Sequence, residues 1–330
     1  MSNKKEAYLY ISAMLRSRET RMLTREKAER MLDAPSFEES AKILADSGYE
    51  DMSQMSAKEI DQALARRRDA VFGELAGLAP NETIVDVFRV KYDYHNAKVI
   101  LKAEAMNSDE SGLLSGSGRV APQTMLAAYN EDRCKDLPGR LGAAMEEAKG
   151  VLARSANPQL ADFVLDKAYF GELDDLAKEL DSSFLSGYVA VLADSTNLKS
   201  AVRTLRMGKD ADFLRQALVP GGNVSCERIA AAASGEGLAA LFSGRLLKNA
   251  AALGAAAVEG GTMTAFELAC DNAVMAYMAD AKLTAYGEEP VIAYMAAVES
   301  EITAVRMILT GRLAGISPEI IRERLRDMYA

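Results

Sequence analysis

Histidine, the side chain best suited to proton transfer near neutral pH, occurs once in the chain, at position 95. One imidazole cannot supply a His-based zinc site or the two Glu-x-x-His elements of a di-iron bundle. Within Tyr92-Asp93-Tyr94-His95-Asn96 it reads as a structural residue. Cys134, Cys226 and Cys270 are odd in number and far apart. They imply neither a disulfide framework nor a zinc knuckle, and inert thiols in a reducing compartment fit best. Gly116-Ser117-Gly118-Arg119 has the flexibility of a phosphate loop but lacks the Gly-Lys-Ser/Thr ending that reaches nucleotide phosphates, so ATP is not expected to bind. The adjacent acids Glu146-Glu147 and Asp174-Asp175 diverge by ~100° on a helix and cannot converge alone on one metal. No catalytic, cofactor or metal-binding motif is recognised in the residue order, which leaves open a small all-helical enzyme whose acidic metal cluster forms only in three dimensions.

The elements that would carry these residues look helical throughout. The chain has 330 residues, 49% of them hydrophobic and 26% charged, which is the balance of a globular protein of about two domains or a few smaller repeats. A net charge of −9 disfavours nucleic acid as a partner. The opening Met1-Ser2-Asn3-Lys4-Lys5-Glu6 lacks the apolar core of a signal peptide, and the apolar stretch from Ala250 to Val258 falls far short of the ~20 residues of a membrane span, so a cytoplasmic location is expected. Apolar residues recur at three- and four-residue spacing, as in Val291, Met295, Val298, Ile302, Val305 and Leu309, whereas alternating β-type runs are scarce. Ser36 with Glu39, Ser56 with Glu59 and Thr264 with Glu267 match the capping box. Asn157-Pro158 and Ser317-Pro318 place a capping residue before proline. Breaks are expected at Gly48-Tyr49, from Ser108 to Gly118, at Pro220-Gly221-Gly222, at Gly260-Gly261 and from Gly287 to Pro290.

Self-similarity divides this helical chain further. Asp93, Asn96 and Lys98 recur as Asp194, Asn197 and Lys199, and more weakly as Glu301, Ala304 and Arg306. The shift is 101 residues from Asn96 to Asn197 and 107 from Asn197 to Ala304. Three helical units follow, at 1–115, 116–220 and 221–330. Within each copy the acid and the Asn position share a helix face, while the cation five residues on points elsewhere. Lys98, Lys199 and Arg306 are therefore either ordinary solvated or inter-repeat charges, or related positions facing a shared axis or seam. On the second reading Asp93, Asn96, Lys98, Asp194, Asn197, Lys199, Glu301 and Arg306 are candidate partner-binding residues. Arg18, Arg21 and Arg25, and likewise Arg322, Arg324 and Arg326, read as solvated faces, with contact to lipid head groups or a membrane partner as the alternative.

The run Tyr10-Ile11-Ser12-Ala13-Met14-Leu15-Arg16-Ser17-Arg18 with Leu23-Thr24-Arg25, then Asp93-Tyr94-His95-Asn96-Ala97-Lys98 and Asn197-Leu198-Lys199, resembles the C subunit of bacterial and archaeal V/A-type rotary ATPases. Gly287-Glu288-Glu289-Pro290-Val291-Ile292-Ala293-Tyr294, Arg306-Met307-Ile308-Leu309-Thr310-Gly311-Arg312-Leu313 and Ile321-Arg322-Glu323-Arg324-Leu325 are similar to that family's closing segment in order and spacing. The resemblance covers almost the whole chain. It departs from the family at Ala97, usually Leu, at Ala304, often Asn, and in the Ala/Gly-rich stretch from Ser234 to Gly261. It implies three similar helical domains arranged as a pseudo-threefold funnel. It also implies a non-catalytic part of the central stalk, one copy per complex, that receives a shaft of the D and F subunits and rests on the membrane rotor ring at the cytoplasmic face. Composition and repeats alone would also suit a free-standing helical-repeat adaptor.

Overall fold

The computed structural model describes residues 5–108, 111–232, 234–244 and 246–330. Met1–Lys4 of the opening run, Asp109 and Glu110 of the second expected break, and Arg245 of the Ala/Gly-rich stretch lie outside them. Every regular element among the described residues is helical, with no strand. The all-α expectation therefore holds.

The chain forms two compact units, one from residues up to Val85 together with Thr262–Ala330, the other from Asp86–Gly261. The first contains α1 (Leu9–Glu19), α2 (Arg25–Asp33), α3 (Phe37–Lys42), α4 (Ala57–Leu78) and the first turn of α5 (Thr83–Met106), and also α14 (Met263–Ala279), α15 (Glu288–Leu313) and α16 (Pro318–Arg322). Its centre is α15, on which α4, α1, α14, α2, α3 and α16 all pack. Val291, Met295, Val298, Ile302, Val305 and Leu309 are all buried there, so the expected stripe is the core seam. Burying each such side chain stabilises the fold by roughly 1.5–3 kcal/mol.

The second unit holds the rest of α5, then α6 (Pro122–Asn130), α7 (Leu141–Ser155), α8 (Pro158–Glu179), α9 (Ser183–Arg206), α10 (Ala211–Ala217), α11 (Cys226–Ala231), α12 (Gly235–Leu241) and α13 (Lys248–Val258). Here α7 packs on α8, α8 on α9 and α9 on α13. The Ala/Gly-rich stretch makes α12 and α13, which touch so closely that a Cβ on Gly235 would come within 2.8 Å of the Ala255 Cα. Small residues are what that approach requires.

Side-chain caps explain several helix starts. The Ser56–Glu59 pair is a complete capping box, and Asn157 caps α8 ahead of Pro158. Ser36 accepts from the Glu39 amide as half a box. Thr264 does not cap: α14 begins at Met263 with Thr262 as its N-cap, because the chain leaves the Gly260-Gly261 break two residues earlier than the Thr-x-x-Glu spacing suggests. Helices α5, α9 and α15 end alike, with Asn107, Gly208 and Gly315 in the left-handed region and a six-to-one amide bond from the next residue. These bonds run Ser108 to Ala103, Lys209 to Thr204 and Ile316 to Gly311, the geometry of a Schellman close.

Candidate functional site

The first copy of the motif lies on α5. Asp93 is fully buried, and its Oδ1 accepts the backbone N–H of Arg119 at 2.9 Å and of Val120 at 3.0 Å. Its Oδ2 accepts the Arg119 guanidinium at 2.7 Å. Asn96, also fully buried, clamps the same loop: its amide donates to the Ser115 carbonyl and its oxygen accepts from the Ser115 N–H, both at 2.8 Å. Val120 immediately precedes Ala121, the N-cap of α6. The motif thus fixes a loop and anchors the start of the helix that follows it.

The second copy repeats this on α9. Asp194 accepts the Val224 N–H at 3.0 Å, with Asn223 donating to its other oxygen at 3.0 Å. Asn197 exchanges two hydrogen bonds with Val219, at 2.9 and 2.8 Å. Val224 precedes Ser225, the N-cap of α11. Gly118 and Gly222 mark the two loops, since a Cβ at either would run into the Asp93 or Asp194 carboxylate.

The third copy uses a distant loop. On α15, Glu301 Oε2 accepts the N–H of Leu23 at 2.6 Å, and Oε1 accepts the Tyr49 hydroxyl at 2.6 Å. Leu23 precedes Thr24, the N-cap of α2. The Arg67 guanidinium stands 3.8 Å from Glu301 and stacks 4.0 Å above the Tyr49 ring. In all three junctions the residue before the cap is apolar and buried, and so is the fourth helical residue: Val120 with Met125, Val224 with Ile229, Leu23 with Ala28. That is the pattern of a hydrophobic staple. We refer to these junctions as I, II and III.

Electrostatics differs among them. In junction I the Arg119 guanidinium also lies 2.7 Å from Glu172, which accepts the Tyr94 hydroxyl at 2.7 Å. Burial pushes the Asp93 and Glu301 carboxyls up from their ordinary values, although hydrogen bonds pull both the other way. Burial likewise drives the Tyr94 and Tyr49 hydroxyls up, which keeps them protonated donors. The two carboxylates are taken up by bonds to backbone amides, a hydroxyl and a guanidinium, which is capping geometry.

The motif cations point away, as expected. Lys98 reaches Asp166 at 2.5 Å and Arg306 reaches Asp61 at 2.7 Å, while Lys199 is half-buried. Asp61, Asp166 and Asp271 are evenly spaced, 105 residues apart, on α4, α8 and α14. Asp93, Asn96, Asp194, Asn197 and Glu301 are at most 4% exposed, with their polar atoms committed inside the chain. They offer a partner almost no surface. Of the two arginine faces, Arg18 pairs with Glu74 and Arg25 with Glu29, while Arg322 pairs with Glu29 and Asp33, and Arg326 with Asp271. His95 lies 2.9 Å from the Leu113 carbonyl as a loop contact. None of the three cysteines is in a disulfide. Among the described residues no cluster of His, Cys, Asp or Glu could hold a metal, and no helix is long and apolar enough to cross a membrane. Sequence reasoning missed the loop side of each junction. For the first two, Gly118 downstream of Asp93 and Gly222 downstream of Asp194 were the available signal.

Comparison with known proteins agrees with this whole-chain organisation. The family described as ATP synthase (C/AC39) subunit matches residues 11–324. The C subunit of the V-type sodium ATPase of Enterococcus hirae is 22% identical over 325 residues, covering 98% of this chain and 99% of that protein. The C subunit of the A-type ATP synthase of Methanocaldococcus jannaschii is 24% identical over 96% of this chain and 86% of its own length. Its counterpart in the V-type ATP synthase of Thermus thermophilus is 24% identical over 63% of this chain and 67% of its own. A match that runs almost end to end, on a chain whose three junctions are built to one plan, places it in the ATP synthase (C/AC39) subunit family, as a component of a V/A-type rotary ATPase.

Proposed function

We propose that the chain is the non-catalytic socket of the central stalk, joining a shaft of the D and F subunits to the membrane rotor ring. In that position it passes torque between ATP turnover and the movement of protons or sodium ions, as one copy per complex at the cytoplasmic face, held to the membrane through the ring. It needs no cofactor and no nucleic acid. The observation that carries this reading is the capped junction built three times, at Asp93–Val120, Asp194–Val224 and Glu301–Leu23. It supports a pseudo-threefold funnel of three helical domains, counted along the chain as 1–115, 116–220 and 221–330, with Leu23 and Tyr49 of the first serving the third.

A part that transmits torque must not slip at its own joints. Each junction is buried and hydrogen-bonded on the backbone, so bending one means exposing unsatisfied polar groups, at about 1–3 kcal/mol each. The motif acids and amides then serve partners indirectly, by stiffening the loops, and direct contact falls to exposed charges such as Arg306. Charges at a rim mainly steer and orient, so docking to the shaft should weaken as salt rises.

The test is capture of purified D–F shaft by this protein at micromolar concentration, at low and at physiological salt. Binding that weakens with salt, together with co-purification with the ring, supports the socket. No binding at either salt, with co-purification of unrelated proteins instead, points to a free-standing helical adaptor.

A further inference from the structure

Junctions I and II join stretches that are close along the chain, Asp93 to Val120 and Asp194 to Val224, 27 and 30 residues apart. Junction III joins Leu23 to Glu301 across 278 residues. Helix α2 is therefore held on α15 by side chains alone. Glu301 grips its beginning, and Arg312 grips its end through the Leu32 carbonyl at 3.1 Å and the Ala34 carbonyl.

Helix α16 packs on both α2 and α15, and the segment after it runs from Glu323 to Tyr329. Leu325 and Tyr329 are buried, at 2% and 6% exposure, although the segment has no helix of its own. On one side Arg326 reaches Asp271 at 2.7 Å, the Asp327 N–H donates to Asn272 at 3.0 Å, and Lys282 holds the Tyr329 carbonyl. On the other side the Tyr329 hydroxyl donates to Glu19 at 3.3 Å, and Arg322 reaches Glu29 and Asp33 on α2 at 2.7 and 3.0 Å. The segment spans from α14 to α1, and Arg322, just ahead of it, adds α2. All but the two apolar anchors are partly exposed ionic or polar links.

We propose that Arg322–Tyr329 is a latch on junction III. While it is seated, α1 and α2 stay on α15. When it lifts, that junction opens alone and junctions I and II remain shut. The links are charged and partly exposed, so ionic strength sets how firmly the latch is held.

The experiment is hydrogen exchange followed peptide by peptide by mass spectrometry on the full chain, comparing 22–33 with 120–130 and 224–231, the peptides that carry the three capped helix starts. Removal of residues 328–330 should speed exchange in 22–33 about tenfold, the effect of losing one or two hydrogen bonds, and leave the other two peptides within about twofold. Raising salt from low to high on the unaltered protein should move the same peptide in the same direction. Should the shortened chain fail to fold, the double substitution Arg322→Gln with Arg326→Gln replaces it, with the same expected pattern. Equal acceleration in all three peptides, or none in 22–33, overturns the latch. Because the readout is internal to the chain, it is independent of whether the D–F shaft binds.

Discussion

Junctions I and III perform one task with different surroundings. In junction I the acid is short, and a cation from the capped loop itself, Arg119, bridges it to Glu172. In junction III the acid is one methylene longer, a neutral hydroxyl takes the second oxygen, and the cation Arg67 stands off at 3.8 Å. Glu172 on α8 and Arg67 on α4 occupy corresponding places, 105 residues apart, with opposite charge. What survives the exchange is the bond from carboxylate to the amide just before a helix. The counter-charge can come from any side, whereas the orphan amide has only one solution.

The largest loss of stability is expected at Asp93. Asp93→Ala strips three donors of their acceptor and leaves Arg119 buried with one partner fewer, an expected loss of about 4 kcal/mol measured by urea denaturation followed by circular dichroism. Glu301→Ala should cost less, about 3 kcal/mol, because Arg67 is partly exposed and can find water. Equal losses would mean that the counter-charge does not matter.

The Asn position sharpens the contrast. Asn197→Ala makes junction II like junction III there and should cost about 2 kcal/mol, one buried hydrogen bond on each side of Val219. The reverse change, Ala304→Asn, should cost about 1 kcal/mol rather than stabilise. Five residues before Leu23 stands Arg18 within α1, whose carbonyl already accepts the Arg21 N–H at 2.9 Å. An amide there has no loop to clamp. A gain in stability on Ala304→Asn would contradict this account.

The smallest effect is on pH. Asp93 and Glu301 have carboxyls raised by burial, so the folded chain binds those protons more readily than the unfolded one. Acidification through their range adds stability through these two groups rather than removing it. Glu29 and Glu74 are lowered, chiefly by hydrogen bonds from Arg322 and Arg18. Their contribution is present above the ordinary value of 4.5 and is lost as pH falls through the lowered one. Thermal melting should therefore hold steady from pH 7 to about 5 and fall below about 4.5, with Glu29→Gln making that fall shallower.

Much of the architecture was legible in the residue order. The stripe from Val291 to Leu309 announced the central helix, because only a helix brings steps of three and four onto one face. The repeat was visible at Asp93 and Asp194 because a buried acid and amide tolerate few substitutes. The task of the motif was not legible. Its partners are backbone amides, and an amide looks the same whether it belongs to Val120, Val224 or Leu23. The third junction was hidden for a further reason: a search for a constant shift looks downstream of Glu301, and the loop it grips lies 278 residues upstream. Thr264 misled because Thr262 stands two residues before it, and the geometry of the preceding glycines decided between them.

The length of that reach bears on how the protein is made. A ribosome adding about 5–20 residues per second needs roughly 15–60 s to travel from Leu23 to Glu301. Junctions I and II can form as soon as their own loops emerge. Throughout that interval α2, with Ala28, Met31 and Leu32 destined for the interior, waits without the helix that will cover it. Closing so long a loop from the unfolded chain also costs about 2 kcal/mol more entropy than closing either short one. The face of α2 that carries Ala28, Met31 and Leu32 is thus covered only once α15 has been made.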